Sequence, residues 1–208
     1  MHFAQINRRD GFFIVSREKG PAFEWSKLEG RTLLADHGLQ PLVMLKYALK
    51  HNHVDWDQVK IVDAGAPDRM ESAFRDGEGD YLHQQAPVTA GEVVASVGAS
   101  MPPVAFSSLC CAREFQKDER YETFVAIFDR ARAWVRSAGA GEVAEAEAEF
   151  FPGVSREALT EAIRRYQALG CWDSGVEIPR ELYEQVLNVF ESAGAIATRH
   201  AYEEVVVA

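Results

Sequence analysis

Two stretches of this chain constrain its fold more than any other part. Residues 31–52 read RTLLADHGLQPLVMLKYALKHN, and residues 59–76 read VKIVDAGAPDRMESAFRD. Each is a short apolar run, then a turn of small and polar residues, then a helix opened by proline. Pro41 and Pro67 suit the first helical turn, where a missing N–H is no loss. Leu42, Leu45 and Leu49 follow at helical spacing. Further β-forming runs stand at 11–16, 80–83, 92–98 and 103–106, and the first of these reads as the first strand. Strand–helix–strand alternation with short connections predicts right-handed crossovers, a mainly parallel sheet and an α/β fold class.

After about residue 110 the pattern changes to helices at 113–136, 141–150, 156–169 and 180–193. Ser155 is suited to cap the third and Gly170 to stop it, with Leu159, Ile163 and Tyr166 on its apolar face. Leu182, Val186, Val189 and Phe190 line the fourth, which ends at Gly194. GEVAEAEAEFF reads as a solvated acidic face. At 208 residues and 47% hydrophobic content the chain suits one large domain or two small lobes. A net charge of −10 argues against a nonspecific grip on nucleic acid or on an anionic membrane, but leaves room for a small anion.

Open α/β sheets bind ligands beyond the carboxyl ends of their strands, beside helix N-termini. His37, Gln40, His83 and Gln84 stand where donors and acceptors would be needed, and Gly38, Gly65 and Ala66 allow the backbone to approach. Ser107 and Ser108 precede a predicted helix, so they either cap it or touch a ligand. Asn7 and Arg8 lie just before the first predicted strand, as surface residues or as an anion contact. His51 and His53 belong to a helix end, and Trp25, Trp56, Trp134 and Trp172 read as core or lid residues. Cys110, Cys111 and Cys171 show no zinc spacing and read as reduced, partly buried thiols. No carboxylate-rich shell joins His37 to His83, so no metal is expected, and no nucleophile, P-loop or dinucleotide motif marks a catalytic residue. No run is long and apolar enough to enter a membrane, and the N-terminus carries no signal-peptide pattern. The expected location is therefore cytoplasmic as written, or periplasmic if the true start lies upstream.

FEWSKLEGRTLLADHGLQPLVMLKYALKHNHVDWDQVKIVDAG, SAFRDGEGDY and VVASVGASMPPVAFSS, in that order, resemble the substrate-binding proteins of ABC transporters. The branch is that of nitrate, sulfonate, taurine and thiamine-pyrimidine precursors. The resemblance implies a type II periplasmic-binding-protein fold with one complete βαβ lobe and the C-terminal helices of an incomplete first lobe. It implies a division at 1–104, the second lobe with its hinge crossings, and 105–208, the helical part of the first. Ligand loops would fall at His37 to Gln40, Ala64 to Ala66 and His83 to Gln85. The implied role is non-catalytic capture of a small polar, anionic or pyrimidine-like ligand without a cofactor, with an ABC permease as partner if the chain is exported. Helices without their sheet would expose apolar surface and favour a homodimer. Two alternatives stand beside this: a scaffold without ligand, and a thiamine-precursor enzyme using His37 or His83.

Overall fold

The computed structural model describes residues 1–18, 20 and 22–207. It divides into two compact units. One holds Gly11–Pro102 with Val189–Ala195; the other holds Met1–Asp10, Pro103–Asn188 and the chain from Ile196 on. The first ten residues therefore belong with the helices and not with the rest of 1–104, and the end of the last long helix belongs with the α/β unit.

The α/β unit is a five-stranded sheet. Its strands are β2 (Phe12–Ser16), β3 (Thr32–Ala35), β4 (Lys60–Val62), β5 (Tyr81–Gln85) and β6 (Glu92–Ser96), in spatial order β4-β3-β5-β2-β6. β3 pairs in parallel with β4 and β5, while β2 runs antiparallel to both its neighbours, β5 and β6. The run at 11–16 is thus a reversed strand inserted into an otherwise parallel sheet. It is also not the first strand, because β1 (His2–Asn7) precedes it in the other unit.

α1 (Leu39–His51) connects β3 to β4, and α2 (Pro67–Arg75) connects β4 to β5. The two crossovers step along the sheet in opposite directions, so right-handed connections place the helices on opposite faces. Residue alternation sorts the sheet to match. Val15, Leu34 and Leu82 meet Met70 and Phe74 of α2. Their sequence neighbours Ile14, Ala35 and His83, paired across β2, β3 and β5, therefore point to the other face. Phe74 is 1% exposed, so its truncation to alanine costs about 3–5 kcal/mol.

In the other unit β1 pairs antiparallel with β7 (Ser107–Cys110). The expected strand at 103–106 is displaced to 107–110, since Pro102 and Pro103 supply no N–H to a ladder. Ser107 and Ser108 are consequently strand residues and cap no helix. The helix expected at 113–136 begins as a short 3₁₀ turn, Arg113–Lys117, and turns α-helical only at α3 (Glu119–Ser137), which Asp118 caps. α4 (Ala140–Glu147) and α5 (Arg156–Leu169) bury Val143, Ala144, Leu159 and Ile163 together, and Ser155 and Gly170 bound α5 as expected. α6 (Arg180–Ser192) and α7 (Tyr202–Val205) complete the unit's helices. α3 is unusual: its single buried residue is Arg132, while Phe124, Ile127 and Trp134 are 44%, 52% and 38% exposed. Trp134 is therefore a surface residue, and the other three tryptophans are half-buried.

Candidate ligand site

The two βα loops of the α/β unit are built alike. Asp36-His37-Gly38 follows β3 and Asp63-Ala64-Gly65 follows β4. In each, the aspartate Oδ1 accepts a hydrogen bond from the glycine N–H two residues on, at 2.7 Å for Gly38 and 2.8 Å for Gly65. Such Asx turns redirect the chain within three residues. Gly38 then caps α1 without a side-chain bond, and Ala66 precedes α2 with Pro67 in its first turn. His37 links the loops, with its Nδ1 3.7 Å from Asp63 Oδ2. The same nitrogen lies 3.2 Å from the Ala35 carbonyl oxygen. The structure thus gathers His37, Gly38, Gly65 and Ala66 at one end of the sheet. Gln40, the second residue of α1, is half-buried there.

His83 and Gln84 end β5 but behave differently. His83 is 0% exposed and stacks on Phe12 with ring centroids 4.7 Å apart. Neither of its nitrogens meets a hydrogen-bond partner among the described residues. Burial lowers its pKa to about 3, so the ring is neutral at physiological pH. A ring so enclosed has no surface to offer a ligand, contrary to its expected role. Gln84 is 6% exposed and faces α2, where its Nε2 donates to Glu71 Oε2 at 2.9 Å. Its Oε1 is buried without a partner among the described residues.

A cavity of about 250 Å³ opens at this end of the sheet, lined by Phe12, Asp36, Pro67, Met70, Gln84 and Gln85 among others. Two further cavities of the unit are of similar size. One is lined by Arg17, Phe74 and Thr89 (about 240 Å³), the other by Lys46, Lys50, Trp56 and Ser192 (about 250 Å³). Size does not separate the three, but topology does. The connection from β3 leads to β4 on one side, and the strand on its other side is β5, so the strand order switches between β3 and β5. Ligands of open α/β sheets sit beyond the carboxyl ends at such a point. Of these three, among the described residues, the Asp36–Gln84 cavity is the one with walls from both strand ends and from the start of α2. Sequence reasoning missed Phe12, Asp36, Pro67, Met70 and Glu71. The Asp-x-Gly that follows both β3 and β4 was the available signal for the aspartates.

Asn7, Arg8 and Ser107 lie in the other unit. Asn7 and Ser107 are cross-strand partners in the β1–β7 pair. Asn7 Oδ1 and Ser107 Oγ are both buried without a partner among the described residues. The Arg8 backbone is held by N–H donation to Cys171 O at 2.9 Å and acceptance from Val104 N–H at 3.1 Å. Sequence reasoning also passed over Arg132, 6% exposed, whose guanidinium donates to the carbonyls of Gln5 and Gly175. Desolvation lowers its pKa. Cys110 is exposed, Cys111 half-buried and Cys171 buried, all as free thiols. Among the described residues no group of side chains has the makings of a metal site, and no helix is long and apolar enough to cross a membrane.

No family model matches the chain. YtlA of Bacillus subtilis (strain 168), whose name assigns it binding but no ligand, is 24% identical over 220 aligned positions. The alignment covers 99% of this chain and 65% of YtlA, so the chain spans less than two thirds of that relative. Among solved structures, the periplasmic aliphatic sulphonate binding protein SsuA from Escherichia coli superposes with a TM-score of 0.73 at 16% identity. That match covers 97% of this chain and 70% of SsuA. The desulfurization enzyme DszB superposes with a TM-score of 0.60 at 16% identity, over 97% of this chain and 74% of its own. The chain thus carries the mixed α/β fold of the SsuA-type periplasmic substrate-binding proteins of ABC transporters, over about 70% of their length.

Proposed function

We propose that this chain is a non-catalytic solute-binding protein that captures a small polar molecule at the β3–β5 switch point for ABC-type uptake. The observation that carries the reading is the position of the Asp36–Gln84 cavity, where this topology places ligands. His37, Gly38, Gly65, Ala66 and Gln84 would shape or touch the ligand from the α/β unit. In the other unit, taken by itself, Asn7, Arg8 and Ser107 are proposed as polar contacts, supported by the Asn7 Oδ1 and Ser107 Oγ atoms that are buried without a partner among the described residues. The proposed partner is an ABC permease, the place of action the periplasm, and the proposed assembly a homodimer. The thiamine-precursor enzyme gains no specific observation. His83 is neutral and enclosed, and Lys46 and Lys50 line a different groove.

The test is a thermal-shift screen followed by calorimetry. It uses aliphatic sulfonates, nitrate, taurine, pyrimidines, pyridoxal phosphate and thiamine. A ligand at a hundredfold excess over its Kd stabilises the folded chain by about 2.7 kcal/mol, which raises Tm by several degrees. One saturable shift with matching heat is the expected result. No shift and no heat from any compound at millimolar concentration would refute the reading.

A further inference from the structure

We infer that the group entering the Asp36–Gln84 cavity is a hydrogen-bond donor or cation, such as an amine or amidinium, and not a sulfonate or carboxylate. The inference rests on this cavity being the binding site proposed above. Anions bind at strand ends of α/β sheets because free backbone N–H groups of loops and helix starts point at them. Here the two loop glycine donors are committed elsewhere. The Gly38 and Gly65 N–H groups are already bonded to the carboxylates of Asp36 and Asp63. Pro67, in the first turn of α2, has no N–H at all, and Asp68 adds a negative charge to that turn.

Gln85 brings an amide with both a donor and an acceptor to the rim, and the other side-chain polar atoms that remain around the cavity are acceptors. Asp36 contributes a carboxylate. Gln84 has given its Nε2 donor to Glu71, and that bond fixes the orientation of its amide. Its Oε1 is therefore the end of the amide dipole left to accept from a guest. It is buried without a partner among the described residues, although the side chain lines the cavity and is 94% buried by the 6% exposure of the residue. A buried acceptor of this kind is costly until a donor reaches it. Phe12, Pro67 and Met70 supply apolar walls suited to the carbon frame of an organic cation or a flat amino-substituted ring. A sulfonate in the same place would meet a carboxylate and a carbonyl dipole, with the neutral Gln85 amide as the one side-chain donor left among the described lining residues and no cation in return.

Taurine and ethanesulfonate differ by a single ammonium group, and benzamidine carries a cation without a sulfonate. Their Kd values for the full chain, measured by calorimetry at low salt, decide the matter. The expected result is taurine or benzamidine binding at least tenfold more tightly than ethanesulfonate. Asp36→Asn should then weaken the cation about tenfold, since the amide can still accept the Gly38 N–H and keep the turn. Gln84→Leu should weaken it too, with far-UV dichroism unchanged in both variants. Ethanesulfonate binding as tightly as taurine, or Asp36→Asn leaving cation affinity unaltered, would overturn this inference while leaving the binding function intact. Failure of all three probes and of the wider screen would overturn both.

Discussion

Removing the His83 imidazole should flatten the acid limb of the stability curve. The ring is wholly buried against Phe12, and burial lowers its pKa from the ordinary 6.5 to about 3. The folded protein keeps it neutral, whereas the unfolded chain protonates it once the pH falls through 6.5. Each proton bound in excess by the unfolded state lowers stability by about 1.4 kcal/mol per pH unit. The loss therefore begins near pH 6.5, grows on acidification and levels off below about 3, where the folded ring titrates as well. From about pH 7.5 to about 4.5, one such group costs about 2.7 kcal/mol. His83→Leu abolishes that term at similar volume. It also removes two buried nitrogens without partners, which offsets a lost ring stacking of about 0.5–1.5 kcal/mol. The assay is urea unfolding of parent and variant at four pH values, read as the difference of differences so that other titrating groups cancel. Parallel curves, agreeing to about 0.5 kcal/mol across the range, would refute the claim that the fold holds this ring neutral.

Three further outcomes can be checked. Gly91 has φ +101 and a Cβ there would lie 2.3 Å from the Ser16 carbonyl oxygen, whereas Gly77 has φ +99 and open space. Gly91→Ala should therefore lose at least about 2 kcal/mol more than Gly77→Ala, whose cost of about 1–2 kcal/mol is backbone strain alone; equal melting temperatures would contradict this. At mildly alkaline pH a thiol reagent should label exposed Cys110 in the native protein but reach Cys171, whose pKa burial pushes up to about 12, only after unfolding; prompt native labelling of all three thiols would contradict the packing around Cys171. The proposed homodimer would pair α3 antiparallel with its copy, setting Glu119 and Glu122 against Arg130 and Arg136 along the Phe124, Ile127 and Trp134 stripe; Ile127→Glu should then abolish a concentration-dependent mass, and a parent that stays monomeric at high concentration would remove the proposal.

The α/β unit was legible where a local rule acted alone. Proline at a helix start and leucines at helical spacing located α1 and α2 to within two residues, because neither signal depends on distant partners. β2 showed the limit. FFIVS reads as a strand from its composition, but its reversed direction is set by pairing with residues 81–85 and 92–96. β1 went unseen because its alternation is broken and its partner is a hundred residues away. At the site, His83 looked accessible because strand ends usually are, yet two flanking strands and the Phe12 ring enclose it. Asp36 was overlooked because an aspartate in a turn is ordinary; its place at the strand-order switch exists only in three dimensions.

The position of β2 also matters for a chain made one residue at a time. Phe12–Val15 leaves the ribosome before the strands that flank it in the sheet, β5 and β6, which end at Gln85 and Ser96. At synthesis rates of about 5–20 residues per second, the second flank follows after roughly 4–16 s. During that interval an apolar, strand-forming FFIV has no sheet to join, the condition under which nascent chains associate wrongly. Arg8, Arg9 and Asp10 precede it, and Arg17 and Glu18 follow it. Charge on both borders is the arrangement that keeps such a segment soluble while the strands that flank it are still being made.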